Sequence, residues 1–149
     1  MKIELIELSE GNLEQCFDLK VAREQTQYIA SNADSWNTSK ENIDVARPFA
    51  IYCDGNMVGF TMFAFDENYP DPNDRYWLWR LMIDESLQGK GYGTAALEEI
   101  IRYFREHGAN NIRLSTKETN VNALAMYRKA GFRETGEMND DEIVLQLDL

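Results

Sequence analysis

Apolar and polar residues alternate from position 2 to 8 (KIELIEL), the period of a half-buried strand. From 12 to 30 the apolar positions recur at spacings of three to five, with Leu13, Cys16, Phe17, Val21 and Tyr28 on the stripe, and this predicts a helix. Residues 31–47 are polar and predict a short helix or a mobile loop. Two β-rich apolar runs follow, joined at Asp54-Gly55-Asn56, a hairpin signal because such residues tolerate positive φ. The stretch 66–74 (DENYPDPND) consists largely of turn formers and predicts a loop. Positions 76–83 (YWLWRLMI) are apolar on both faces except at Arg80, as in a central strand covered on both sides. Alternation there sets Trp77 and Trp79 on the face opposite Arg80.

After the segment 88–93 a helix is predicted as far as His107, with Leu97, Ile100, Ile101 and Phe104 as its buried stripe and Gly108 as its stop. Residues 111–116 read as a strand, 120–130 as a short helix ending at Gly131, and 132–138 and 142–149 as closing strands. The order β-α-α-β-β-β-α-β-α-β-β predicts a mixed α/β sheet with helices packed on it. No repeat, low-complexity stretch or linker interrupts it, so one domain over 1–149 is expected.

Composition narrows the class. With 149 residues, 44% hydrophobic and 28% charged, the chain has the balance of a soluble globular protein and can bury about two thirds of its unfolded surface. No apolar run reaches the roughly 20 residues of a membrane span. The first residues lack the apolar core of a secretion signal, and the expected compartment is the cytoplasm. Cys16 and Cys53, with one histidine in the chain, argue against a disulfide framework and against a Cys/His metal site.

The net charge of −11 disfavours a phosphate-backbone partner, so no nucleic acid is expected. The charge is uneven, however. Between Gln88 and Arg133 there are eight basic residues against four acidic ones, and the remainder is strongly acidic. One stretch suits an anion and the rest suits a cation, although acidic surfaces also simply keep proteins soluble.

The anion-suited stretch opens with LQGKGYGT. Gly89, Gly91 and Gly93 alternate, let the backbone turn tightly and expose successive N–H groups just before a helix N-terminus. That pattern forms a nest for a phosphate or pyrophosphate, or else an ordinary glycine turn. It is no GxxxxGK[ST] loop. The lax dinucleotide form Gly91-x-Gly93-x-x-Ala96 lacks the acid expected some 20 residues on, where Arg113 stands.

Gln88-x-x-Gly91-x-Gly93 after a long apolar strand resembles the acyl-CoA loop of the GNAT superfamily of N-acetyltransferases. Asn120-x-x-Ala123-x-x-Met126-Tyr127-x-x-x-Gly131-Phe132 is similar to that superfamily's other motif, in the right order and register. The segments at 24–35, 50–60 and 76–84, with QGKGYG, resemble the bacterial spermine/spermidine acetyltransferases within it. The resemblance implies the GNAT fold, a mixed and mostly antiparallel sheet flanked by about four helices, and an N-acetyltransferase using acetyl-CoA. It implies that the backbone of Leu81, Met82 and Ile83 pairs with the pantetheine arm, an N–H near Met82 serving as the oxyanion donor. By the same resemblance backbone groups of Gly89, Lys90, Gly91, Tyr92, Gly93 and Thr94 hold the pyrophosphate, and Gln88 belongs to the same cofactor-binding loop. Asn120 contacts the pantetheine or caps the last helix, Ala123 leaves room beside it, and Tyr127 protonates the departing thiolate. Asn120, Ala123 and Tyr127 share one helical face, and a phenol with a pKa of about 10 is a donor at neutral pH.

The implied acceptor is a primary amine, a polyamine first, with another amine or a non-catalytic acyl-CoA-binding module as alternatives. Such an amine is almost wholly protonated at pH 7 and needs a base. The superfamily's strand glutamate has no counterpart in Leu78-Trp79-Arg80, so Glu24, Asp84 and Glu142 stand as candidate bases, working through water. Gln25, Tyr28, Ser35 and Trp79 are candidate acceptor contacts. Arg80 is expected either in a structural ion pair or organising an acceptor-site carboxylate. Related enzymes are often dimers, which implies a possible homodimer.

Overall fold

The computed structural model describes residues 1–149, and its strands form one seven-stranded sheet in the order β1-β2-β3-β4-β5-β7-β6. The strands are β1 (Ile3–Glu7), β2 (Ala46–Cys53), β3 (Asn56–Phe65), β4 (Tyr76–Ile83), β5 (Asn111–Thr116), β6 (Arg133–Asn139) and β7 (Glu142–Asp148). The helices are α1 (Leu13–Asp18), α2 (Asn32–Glu41), α3 (Tyr92–Glu106) and α4 (Val121–Lys129). Every adjacent pair is antiparallel except β4 and β5, which run parallel. No helix is long and apolar enough to cross a membrane.

The β2–β3 hairpin turns where its sequence dictates: Asp54 at φ 50° and Gly55 at φ 85° are both left-handed, which matches the twist of the flanking strands. In α3, Leu97, Ile100, Ile101 and Phe104 are all buried, packing with Phe63, Phe65, Tyr76, Leu78 and Phe132 on one face of the sheet. Gly108 ends the segment at φ 84°. The other face carries Cys16, Ala50, Phe60, Met62 and Met82, covered by α1 and α2.

The long helix expected over 12–30 does not form. Leu19 turns extended (φ −70°, ψ 139°), because the chain beyond it is held to the far end of β4. The Lys20 N–H donates to Asp84 Oδ1 at 2.9 Å and the Glu85 N–H donates to the Lys20 carbonyl at 2.6 Å. These tertiary bonds replace helical ones, and only a 3-10 turn at Arg23–Gln25 follows. The polar stretch after it holds α2, started by the Ser31 hydroxyl accepting from the Asp34 N–H at 3.1 Å. The buried side of α2 is Asn32, Ser35 and Ser39, so hydrophobic periodicity carries no trace of it.

Two irregularities in β4 create the site. Leu78 pairs with Phe63 and Arg80 with Met62, so Trp79 is an extra residue, a β-bulge. The bulge reverses the alternation: Leu78 belongs with the α3-side core, whereas Trp79 and Met82 pack with the α1/α2-side cluster. Arg80, opposite Met62, therefore shares the face of Trp79 instead of opposing it, contrary to the simple alternation of the sequence. The second irregularity is that β4 and β5 pair at one position only, Trp77 with Arg113.

Candidate active site

The single β4–β5 pairing is pinned by charge. Arg113 is buried and donates to Asp74 Oδ1 at 3.0 Å, to Glu137 Oε2 at 2.9 Å and, through Nε, to Gln146 Oε1 at 2.7 Å. Beyond this point the strands diverge and open a cleft of about 1510 Å³, lined by Leu81, Met82 and Ile83 on one side and by Ser115, Thr116 and Asn120 on the other. The β5-facing backbone groups of β4 past Trp77 have no ladder partner, so they are available to an extended ligand. Gly59 sets the depth of this wall: a Cβ there would lie 2.2 Å from the Met82 carbonyl oxygen, so only glycine lets β3 approach β4 so closely.

At the mouth of the cleft Gly89 and Gly91 sit at φ 77° and 87°, a left-handed backbone that the glycines allow. The first bond of α3 runs from the Ala95 N–H to the Gly91 carbonyl at 3.1 Å. The N–H groups of Tyr92, Gly93 and Thr94 therefore have no acceptor in the helix and point outward with its positive end. Gln88 braces this loop, donating to the Ile83 carbonyl at 2.9 Å and to Gln25 Oε1 at 2.8 Å. Gln88, Gly89, Tyr92 and Gly93 line the cleft, whereas Lys90, Gly91 and Thr94 are exposed beside it.

Across the gap, α4 presents Asn120, Ala123, Met126 and Tyr127 to the cleft. Asn120 occupies the N-cap position without a side-chain capping bond, and its amide donates to Thr116 Oγ1 at 3.1 Å, tying α4 to the end of β5. The Tyr127 ring packs edge-on against Phe132, with centroids 5.7 Å apart. Its hydroxyl has no hydrogen-bond partner in the protein and opens on the cleft, unlike that of a structural core tyrosine. Burial pushes its pKa up to about 12.

The α1/α2-facing side of the cleft is made of side chains. Trp79, Arg80, Ser115 and Glu142 line it, with Gln25 and Tyr28 above. Tyr28 donates to Thr119 Oγ1 at 3.1 Å, so residues 25–30 form a strap from β4 to the β5–α4 loop. Glu142 Oε1 accepts from the Ser115 hydroxyl at 2.8 Å. Arg80 donates from Nη1 to the Trp79 carbonyl at 2.9 Å, and its buried Nε has no partner. No carboxylate lies within ion-pair distance of Arg80, so the expected structural ion pair is not formed; burial pushes its pKa down, and the more distant Glu142 opposes the shift.

Three candidates lie elsewhere. Glu24 is exposed on the 3-10 turn and does not line the cleft, because α1 ends early and turns that position outward. Ser35 is 1% exposed beneath α2 and its hydroxyl has no partner, so its side chain is out of reach of a bound amine. Asp84 is a structural cap, accepting from the Ser86 N–H and hydroxyl and from the Lys20 N–H. Burial raises its pKa, but those bonds outweigh it and hold the carboxyl below its ordinary value. Sequence reasoning passed over Arg113, Ser115 and Gly59. Only Gly59, a lone glycine within an apolar strand, carried a readable signal.

The fold and the cleft define an acyl-CoA-dependent transferase. The chain matches the Acetyltransferase (GNAT) family across residues 13–132 and belongs to it. It is 33% identical over 93% of its length to a spermine/spermidine N(1)-acetyltransferase of Bacillus subtilis (strain 168), of which 93% is covered. The spermidine N-acetyltransferase of Vibrio cholerae, solved with CoA and spermine, superposes with a TM-score of 0.75 at 19% identity, covering 98% of this chain and 95% of that one. An aminoglycoside acetyltransferase in complex with coenzyme A superposes equally well, with a TM-score of 0.78 at 17% identity over 99% and 95% of the two chains. The protein is thus an acetyl-CoA-dependent N-acetyltransferase. Its residues fit that cofactor: a ladder-free strand edge for the pantetheine arm, and outward N–H groups at a left-handed glycine corner for the pyrophosphate.

Proposed function

We propose that the protein acetylates a primary amine of a polyamine such as spermidine or spermine, with Tyr127 serving the leaving group and Glu142 collecting the acceptor's proton. When bound, acetyl-CoA supplies a thioester carbonyl for the amine to attack and a thiolate to leave. The ladder-free N–H groups around Met82 are the donors available to the thioester oxygen. Those of Gly89, Tyr92 and Gly93 hold the pyrophosphate, and Asn120 and Ala123 border the pantetheine arm.

The observation that carries the chemistry is the partnerless Tyr127 hydroxyl, facing the same gap as the free edge of β4. With a pKa of about 12 it stays protonated across the physiological range. A thiol ionises near 8.5, so full transfer from the phenol alone is uphill. Tyr127 donates a hydrogen bond to the departing sulfur and passes on its proton as it recovers the one shed by the nitrogen. Glu142, held by Ser115, is a cleft carboxylate that is not engaged by a cation. Asp66, beside Arg75 beyond the Trp77 end of β4, adds a second cleft-lining carboxylate without an ion pair, which suits the distal ammonium groups of a polyamine.

The polyamine assignment draws on the relative's similarity over nearly the whole chain and on these two carboxylates. Thiol release from acetyl-CoA, compared across spermidine, spermine, putrescine and an aminoglycoside, tests it. Highest kcat/KM on the polyamines is expected, and preferential turnover of the aminoglycoside would overturn it.

A further inference from the structure

The acceptor side of the cleft holds a charge of the wrong sign for a polycation. Arg80 carries five N–H donors, of which the protein uses one. Its Nε is buried without a partner, no carboxylate approaches it within ion-pair distance, and the bulge at Trp79 aims it to the same face as Ser115 and Glu142. An unpaired, partly buried guanidinium is costly, so a fold that retains it beside the reaction centre gives it something to act on.

Of the other charged side chains of the cleft, Glu142 offsets that field only in part, from beyond ion-pair distance. Arg113 is matched by Asp74 and Glu137 at the closed end. Arg75 precedes β4 beyond that closed end, its Nε donating to the Tyr69 carbonyl at 2.8 Å, beside Asp66. Glu142, on β7 two strands from β4, is held by Ser115 of β5. Along β4 itself Arg80 is the only charge, one residue before the free edge at Leu81–Ile83.

We propose that Arg80 presents a fixed positive charge to the acceptor nitrogen, so that the amine docks beside β4 as its free base while the distal ammonium groups lie toward the carboxylates. This rests on the amine-acetyltransferase reading above and accounts for the missing strand glutamate: repulsion by a fixed cation does what proton abstraction by a strand base would do. On docking the alkylammonium releases one proton to bulk water, by way of Glu142. The neutral nitrogen then forms the C–N bond as the C–S bond breaks, and its second proton ends on the thiolate by way of Tyr127.

The test is the pH profile of kcat at saturating spermidine, which reports groups in the ternary complex. In Arg80→Met the acidic limb is expected to move up by about one pH unit, with kcat at pH 7 falling about tenfold and KM unchanged or lower. Arg80→Lys keeps the charge and is expected to keep the limb. A second readout needs no turnover. Titrating spermidine into the protein–CoA complex in buffers of different ionisation enthalpy should show close to one proton released by the wild type and measurably less by Arg80→Met. An unmoved limb together with unchanged proton release would overturn the proposal, whatever happens to stability. So would a rise in KM confined to carboxylate-bearing acceptors such as lysine, since Arg80 would then be anchoring an anion. If spermidine neither binds nor reacts, the polyamine reading falls by itself, and the same two measurements with n-butylamine or lysine decide the role of Arg80.

Discussion

One side of the cleft offers backbone to a ligand, and the other offers side chains. The cofactor side consists of the unpaired edge of β4, the left-handed corner at Gly89 and Gly91 and the start of α3. The side we assign to the acceptor consists of Trp79, Arg80, Ser115 and Glu142, brought together by a bulge and by three different strands. A backbone site needs only the correct φ and the absence of a Cβ, so a short motif specifies it wherever the fold supplies a strand and a helix. A side-chain site depends on which face each residue points to, and a single bulge alters that. One fold can therefore hold the same cofactor while serving different amines.

Tyr127 faces both sides, and replacing it should break the comparison most severely. In Tyr127→Phe the ring still packs on Phe132 while the donor is gone. We expect kcat to fall by about 100- to 10,000-fold, with the KM values for both substrates nearly unchanged. Spectrophotometric titration should also lose a phenol that ionises at about 12, where burial sets this one. Normal turnover in Tyr127→Phe would remove it from the chemistry.

Gly59→Val attacks the cofactor side from behind. Its Cβ would fall 2.2 Å from the Met82 carbonyl, so β4 must shift or the strands separate. A loss of about 1–3 kcal/mol in unfolding free energy is expected, with weaker CoA binding by calorimetry. Tyr28 and Gln25 should still support acceptor binding, a selectivity that a general loss of structure would not show.

The contrast between the two sides also explains what could be read in advance. The glycines, the apolar strand and the Asn120–Phe132 pattern are local, and the segments they mark do line one cleft. The α3 stripe and the Asp54–Gly55 turn were legible for the same reason. The bulge at Trp79 was not, because it comes from the register against β3 and leaves no mark on β4's own sequence. The break after Asp18 was hidden likewise, being set by bonds to residues 84 and 85. Ser35, read as a candidate acceptor contact within a polar stretch, lies in the core because α2 buries small polar side chains. Ser115 acquires meaning only once Glu142 lies beside it.

Gly91→Val probes the phosphate corner alone. At φ 87° a β-branched residue is strained by about 1–3 kcal/mol, although nothing lies within 4 Å of its Cβ. The loop is expected to give way before the fold does. The KM for acetyl-CoA should rise about tenfold, the worth of roughly 1.4 kcal/mol, with kcat at saturation little changed. An unchanged KM would show that the left-handed corner is not needed to hold the pyrophosphate.

The smallest effect is expected at Asp84, where the two sides are tied together. Its carboxylate caps the turn at Glu85–Leu87 on the cofactor side and holds the Lys20 N–H leading into the strap on the acceptor side. Asp84→Ala should cost about 1 kcal/mol at neutral pH, as loss of a cap does. Because hydrogen bonds hold this carboxyl below its ordinary value, the folded state takes up its proton later than the unfolded chain as pH falls. The stabilisation is thus fully present above the unfolded pKa of about 3.9 and is lost as pH drops through the lower folded value. The melting-temperature gap between wild type and Asp84→Ala should therefore be widest near neutrality and shrink in acid. Since the carboxylate positions the strap and touches no reacting atom, kcat should hold while the KM for the amine rises slightly. A fall in kcat with the amine KM unchanged would instead put Asp84 in the chemistry.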